Sequence, residues 1–177
     1  MLLEHLKQRS LTPSLYSGLW LDEEESVTTF GLWNLSGSLV GFQQYKHLAS
    51  KERCENPRDM RYFTIAGKTD KYSKLLAFGV DLLDSNQKVL FLAEGDFDVV
   101  PLHNRNVNAL ATLNNNPKHL ASWLRTLGYY LVALCEGDEA GQKLANVADE
   151  AVYLPEGKDP AEMSAEWFDE LVQKYTK

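Results

Sequence analysis

The chain has 177 residues, 44% hydrophobic and 24% charged, with a formal net charge of −7. This is the composition of an ordinary globular protein, long enough for one full core or two small lobes, and its acidic balance argues against a generic nucleic-acid coat. No apolar stretch approaches the roughly 20 residues of a membrane-spanning helix. Cys54 and Cys135 stand alone and far apart, so they cannot build a tetrahedral zinc site, and free thiols fit a reducing, cytoplasmic setting.

The opening "MLLEHLKQRS" reads as an amphipathic helix and lacks the h-region and cleavage site of a secretory signal. "SVTTFGLWN" and "SLVGFQQY" flank "LSG", which predicts an antiparallel hairpin turning near Ser36-Gly37. The polar "KHLASKERCENPRDM" reads as a surface loop, "RYFTIAG" as a further strand, and Asp84-Ser85-Asn86 as a turn or linker. Residues 1–86 are thus expected to form a small α+β lobe.

From residue 87 the pattern changes. The apolar runs "KVLFLAEG", "VNALATL", "YYLVALC" and "AVYLP" alternate with the helical stretches "DFDVVPLHN", "KHLASWLRTLG", "DEAGQKLANVAD" and "SAEWFDELVQKY". Pro117 suits a first helical turn and Gly128 a C-cap. Continuously apolar strands separated by helices predict an α/β fold over residues 87–177, with a parallel sheet of about four strands flanked by helices and buried on both faces. Trp20, Trp33, Trp123 and Trp167 are expected in cores, and the four histidines show no ligand spacing.

Charge is unevenly spread. Residues 46–74 carry eight basic side chains (Lys46, Lys51, Arg53, Arg58, Arg61, Lys68, Lys71, Lys74) against four acidic ones, whereas residues 75–177 carry eight basic against sixteen acidic. In an open parallel sheet, ligands collect outside the carboxyl ends of the strands. Here one strand end delivers Glu94, the next Glu136 and Asp138, and the last Glu156 and Asp159. Crowded carboxylates repel one another unless a cation neutralises them. An all-oxygen set suits a hard ion, Mg²⁺ or Mn²⁺, of the kind that serves phosphate chemistry. A phospho-receiver domain also gathers acids this way.

"AEGDFDVVPLH", "VNALATLNN", "VALCEGDEAGQKLA" and "LPEGKDPAE" together resemble the Toprim domain in the version carried by bacterial and phage DNA primases. The resemblance implies that Glu94 acts in acid/base transfer or metal positioning and that Asp98 is a further acid of the primase branch. It equates Asp138 with the second aspartate of an Asp-x-Asp pair, Ala140-Gly141 with the Ala-Gly that follows, and Lys158-Asp159-Pro160 with the last element. The first aspartate of the pair is Glu136 here, which moves the carboxylate by about one C–C bond, and Mg²⁺ tolerates misplaced ligands poorly. "LKQRSLTPSL", "FGLWNLSGSLVGFQQY" and "RYFTIAGK" follow the layout of the basic lobe before Toprim in primase cores, which ends in an aromatic-Gly step.

The resemblance implies a primase core making short RNA primers from ribonucleotides on single-stranded DNA. Glu136, Asp138, Asp159 and Glu94 would be the metal site, the eight basic residues of 46–74 with Lys158 the phosphate contacts, and Tyr45, Tyr62 and Phe63 available to stack on bases. Such primases usually carry a zinc module and a helicase part, so this chain reads as a stand-alone core, as in phage or mobile-element primases, with a helicase or zinc-bearing partner expected. Two alternatives use the same platform: a Toprim nuclease, and a degenerate Toprim protein that binds nucleic acid or a replication protein without chemistry.

Overall fold

The computed structural model describes residues 1–34, 36–50, 52, 54–66, 75–114 and 116–176. Helix α1 (Leu2–Gln8) leads into four antiparallel strands, β1 (Leu19–Asp22), β2 (Val27–Trp33), β3 (Leu39–Lys46) and β4 (Tyr62–Ala66), paired in chain order. The predicted hairpin is β2–β3, with Gly37 at φ 73° in its turn. The second half supplies β5 (Val89–Ala93), α2 (Asp96–His103), β6 (Ala109–Ala111), α3 (Ala121–Arg125), β7 (Tyr130–Cys135), α4 (Glu139–Ala145), β8 (Glu150–Tyr153) and α5 (Ala165–Tyr175). Its four strands are all parallel, in the order β6-β5-β7-β8.

Alternate residues of the parallel strands feed two cores. Phe91, Ala93, Val132 and Leu134 pack with α2, α5 and the inner face of the antiparallel sheet, together with Phe30, Leu32, Tyr45, Phe97 and Phe168. Leu90, Leu92, Leu131 and Ala133 pack on the other side against Trp123 and Leu124 of α3 and Leu144 of α4. The sheet is therefore covered on both faces, which explains strands without polar alternation. Helix α2 lies inside the first core, and every residue of it except Pro101 is buried.

The segment Leu76–Gly79 ties the two sheets together. Ala77 bridges to Trp33 and Phe78 bridges to Ala111, both antiparallel. Gly79 sits at φ 95°, where a Cβ would lie 2.7 Å from the Ala109 carbonyl oxygen and 2.9 Å from the His103 ring. The aromatic-Gly step is thus a place where backbone must approach backbone and only glycine fits.

Three expectations need correction. Trp20 is 50% exposed: β1 is an edge strand, and its alternation sends Leu19 and Leu21 to the core and Trp20 outward. β6 is shorter than predicted, flanked by Asn106 and Leu113 at positive φ. The helix expected over 118–128 is a 3₁₀ turn, Pro117–Leu120, running into the short α3.

Candidate active site

β6 lies on one side of β5 and β7 on the other, so the chain reverses direction across the sheet between β5 and β7, and a crevice opens beyond their carboxyl ends. A cavity of about 350 Å³ occupies this place, lined by Glu94 and Asp98 from the β5–α2 turn, Glu136 after β7 and Asp159 after β8. Arg9, Gln43 and Tyr62 line it too, from the first half of the chain. Three of the acids predicted from strand ends, together with Asp98 expected from the resemblance, therefore share one cavity wall. Glu156 is exposed and does not line it.

Local backbone chemistry sets each acid. Asp98 is the third residue of α2, and its Oδ2 accepts a hydrogen bond from the Gly95 N–H at 2.8 Å. Asp138 caps α4, its Oδ1 accepting from the Gly141 N–H at 2.8 Å. It is exposed and not part of the cavity wall, yet its charge acts on Glu94 and Glu136. A Cβ at Gly141 would overlap the Glu136 carbonyl oxygen, so glycine lets α4 start directly against the exit of β7.

The electrostatics are those of an unneutralised acidic cluster. Burial, with Asp138 adding repulsion, raises the Glu94 carboxyl above its ordinary pKa. Burial pushes Asp98 up to about 7 against the pull of the Gly95 N–H, with Asp159 and Glu136 adding to the rise. Glu136 is raised by burial and then by four neighbours, Asp138, Glu94, Asp159 and Glu162. Burial also holds Asp96 well above the carboxylate range, Asp98 adding and Arg9 opposing.

An all-oxygen donor set of mutually repelling carboxylates, with Oδ1 of Asp159 buried and unpartnered, fits a hard divalent cation. Among the described residues, no three His, Cys, Asp or Glu side chains converge tightly enough to hold an ion as they stand. The set is an open wall, which suits Mg²⁺ or Mn²⁺ held by one or two carboxylates with waters and substrate phosphates completing the shell.

The basic residues are dispersed. Lys46 Nζ donates to the Arg58 carbonyl, Arg58 is exposed, and Arg61 gives Nε and Nη2 to the Ala49 carbonyl at 2.8 and 2.6 Å, closing the loop between β3 and β4. Lys158 is exposed and lies 3.7 Å from Glu162. Lys51, Arg53, Lys68, Lys71 and Lys74 lie outside the described residues. Tyr62 is 41% exposed at the cavity, and Phe63 is half-buried. Tyr45 is buried, hydrogen-bonded to His5 and packed edge-on against Phe97, so it is not available for stacking on a base.

Arg9, Gln43 and Asp96 were not singled out from sequence. Arg9 lies over the Phe97 ring, 3.8 Å from its centroid, and reaches the Tyr62 hydroxyl at 3.4 Å. In sequence it is separated from the basic run, and only its position just after an amphipathic helix hinted at an inward turn.

The fold and cavity define an α/β protein with an acid-lined crevice at the mouth of a parallel sheet, roofed by a small antiparallel sheet. No protein-family model matches the chain, and no curated protein matches it in sequence. Solved structures do. A DNA primase domain from Pseudomonas aeruginosa superposes with a TM-score of 0.60 at 18% identity, covering 98% of this chain and 62% of that one. The RNA polymerase domain of Mycobacterium tuberculosis primase DnaG, solved with double-stranded DNA, gives 0.59 at 21% identity, with 98% and 64% covered. The primase fragment of the bacteriophage T7 primase-helicase protein gives 0.58 at 15% identity, with 85% and 63% covered. The chain has the fold of DnaG-type primase catalytic cores and spans less than two thirds of the length of these three structures.

Proposed function

We propose that the chain is the catalytic core of a metal-dependent DNA primase, joining ribonucleotides into short RNA primers on single-stranded DNA. The observation that carries this reading is the convergence of Glu94, Asp98, Glu136 and Asp159 on one cavity at the crevice of a primase-core fold. Glu136 and Asp159, with Asp138 beside them, would hold Mg²⁺ or Mn²⁺. When bound, such an ion neutralises phosphate charge and stabilises the attacking and leaving oxygens of a phosphoryl transfer. Glu94, raised by burial with Asp138 adding repulsion, is made a stronger base than an exposed carboxylate and is suited to take a proton from the primer hydroxyl. Asp98, fixed by the Gly95 N–H, holds the β5–α2 turn that presents Glu94.

In this reading residues 87–177 carry the chemistry and residues 1–86 hold the template. Arg58, Lys46 and Arg61, with Lys51, Arg53, Lys68, Lys71, Lys74 and Lys158, supply phosphate contacts, and Tyr62 offers a face for a base. A phage or mobile-element origin, cytoplasmic work, and a helicase or zinc-bearing partner belong to the same proposal. Among the described residues, no helix is long and apolar enough to cross a membrane. A non-catalytic protein is the second reading, favoured by Glu136 in place of aspartate.

The test is primer synthesis by the purified chain on mixed-sequence single-stranded DNA with Mg²⁺ or Mn²⁺. Asp138→Asn is the control, because an amide oxygen preserves the α4 cap that alanine would remove. Short RNA products lost in Asp138→Asn support the primase core. Intact template without products favours the non-catalytic protein, and fragmented template a nuclease.

A further inference from the structure

The antiparallel sheet packs on the core with one face only. Phe30, Leu32 and Tyr45 of its inner face enter the first core, and Gln43 and Tyr62 on that face line the cavity. Residues directly opposite one another share a face, so the register defines the outer one. Trp20 pairs with Thr29, Thr29 with Gln44 and Gln44 with Phe63, a row across all four strands, and Phe42 pairs with Ile65 in the next row. Trp20, Phe42, Phe63 and Ile65 belong to neither core, and Trp20 is 50% and Ile65 41% exposed. The solvated face of an antiparallel sheet is ordinarily polar, whereas a contiguous apolar patch marks an interaction surface. Charge borders this patch on its other side, where Asp22 pairs with Val27 and Val27 with Lys46. Asp22 and the exposed Glu23, Glu24 and Glu25 of the β1–β2 turn form no ion pair among the described residues.

We infer that this outer face docks a second copy of the chain, the two sheets packing face to face about a two-fold axis. The charge pattern selects the occupant. Four acids beside the aromatic row repel a polyanion such as single-stranded nucleic acid, although the rings alone would suit stacked bases. A two-fold axis lying in the face and running along the strands exchanges β1 with β4 and β2 with β3, and keeps each row roughly at its own level. It brings Trp20 of one copy over Phe63 of the other, Thr29 over Gln44, and the acidic β1–β2 turn over Lys46. Every contact then occurs twice, as an isologous interface requires, and the sheets stack as in a sandwich. Gln43 and Tyr62 lie on the opposite face, so both cavities stay open. Lys46 serves the second copy in this dimer, and the other basic residues remain for phosphate. The face of one small sheet gives a reversible dimer, forming at about 1–100 μM, whether or not the chain makes primers.

Sedimentation equilibrium of the chain over that concentration range tests this. Three variants accompany the unaltered protein: Trp20→Glu, Lys46→Glu, and a turn variant carrying Glu23→Lys, Glu24→Lys and Glu25→Lys. A monomer–dimer equilibrium is expected, weakened at least about tenfold by Trp20→Glu. Lys46→Glu and the turn variant each set like charges against each other and should be monomeric alone. An equimolar mixture of the two should form dimers again, because opposite charges then meet at both contacts. Misfolded variants could not give that recovery. Should Lys46→Glu fail to fold, the turn variant decides, since its three positions are exposed, and an undiminished dimer there overturns the inference. A monomer throughout the range overturns it, as does a dimer indifferent to Trp20→Glu or a mixture of folded variants that associates no better than its components. A monomer that binds a single-stranded oligonucleotide, with the binding lost in Trp20→Glu, overturns it in favour of a nucleic-acid platform.

Discussion

The Tyr16 hydroxyl stands 3.0 Å from Nδ1 of His103, joining the turn after α1 to the end of α2 across 87 positions of sequence. His103 Nε2 lies 2.9 Å from the Ala109 carbonyl, which can only accept, so Nε2 carries the proton and Nδ1 accepts from tyrosine. Both donors and acceptors of the neutral ring are used, and the ring is buried.

Stability should therefore fall in mild acid through His103. Burial lowers its pKa from 6.5 to about 4 in the folded protein. A depressed folded pKa gives stability that is present above the unfolded value and lost as pH falls, so the window runs from about 6.5 down to about 4. The full loss is on the order of 3 kcal/mol. Denaturant melts of the unaltered chain and His103→Gln, at pH 7 and pH 4.5, should show the gap between them shrinking at the lower pH. A gap independent of pH would mean that the ring is not held neutral.

Asp98 should act in the opposite sense. Its folded pKa of about 7 lies above the ordinary 3.8, so its contribution is fully present below about 3.8 and is lost progressively as pH rises from there to about 7. Without divalent cations, Asp98→Asn should raise stability at pH 8 by about 1–3 kcal/mol and change little at pH 3.5, below the unfolded pKa, since an amide oxygen can still accept from Gly95. The same substitution should abolish nucleotide incorporation. Thermal melts at the two pH values check the first expectation, and added Mn²⁺ should narrow the difference by neutralising the acids.

Much of this was legible in the sequence because burial on two faces writes a simple signal. β5 and β7 are continuous apolar runs, and the acid following each, Glu94 and Glu136, was predictable at the strand end and lines the cavity. β1 was not legible, because an edge strand of alternating Leu19, Trp20 and Leu21 between turn residues lacks that signal. Asp96 passed unremarked at the start of a helical stretch, since nothing local tells that α2 is enclosed and takes its first turn into the core. Tyr45 and Tyr62 are direct cross-strand partners on one face of the sheet, yet one is buried under Phe97 and the other opens on the cavity. Position across a sheet, which sequence alone does not supply, decides between them.

Gly141→Ala should damage the site through the backbone alone. A methyl group there would overlap the Glu136 carbonyl oxygen, and backbone cannot yield as a flexible side chain does. Overpacking of this kind costs about 1–3 kcal/mol, and relief requires α4 to move away from β7. The expected outcome is a folded protein with a lower melting temperature and weakened Mn²⁺ binding by electron paramagnetic resonance. Unaltered metal binding would show that the start of α4 does not position Glu136.

Glu136 offers the most direct check on the acidic wall. Its carboxyl is acted on by Asp138, Glu94, Asp159 and Glu162 together, so it stands at the centre of the cluster despite having one more methylene than the aspartate of the family pattern. If the longer arm is matched to this cavity, shortening it moves the carboxylate away from its partners by about one C–C bond. A misplacement of about 1 Å in a positioned group can cost roughly 100-fold in rate. Glu136→Asp should therefore lower primer synthesis and Mn²⁺ affinity, with Glu136→Gln lowering both further by removing the charge. A rise in both on Glu136→Asp would mean that the glutamate is a departure that weakens the site, and would favour the non-catalytic reading of the natural chain.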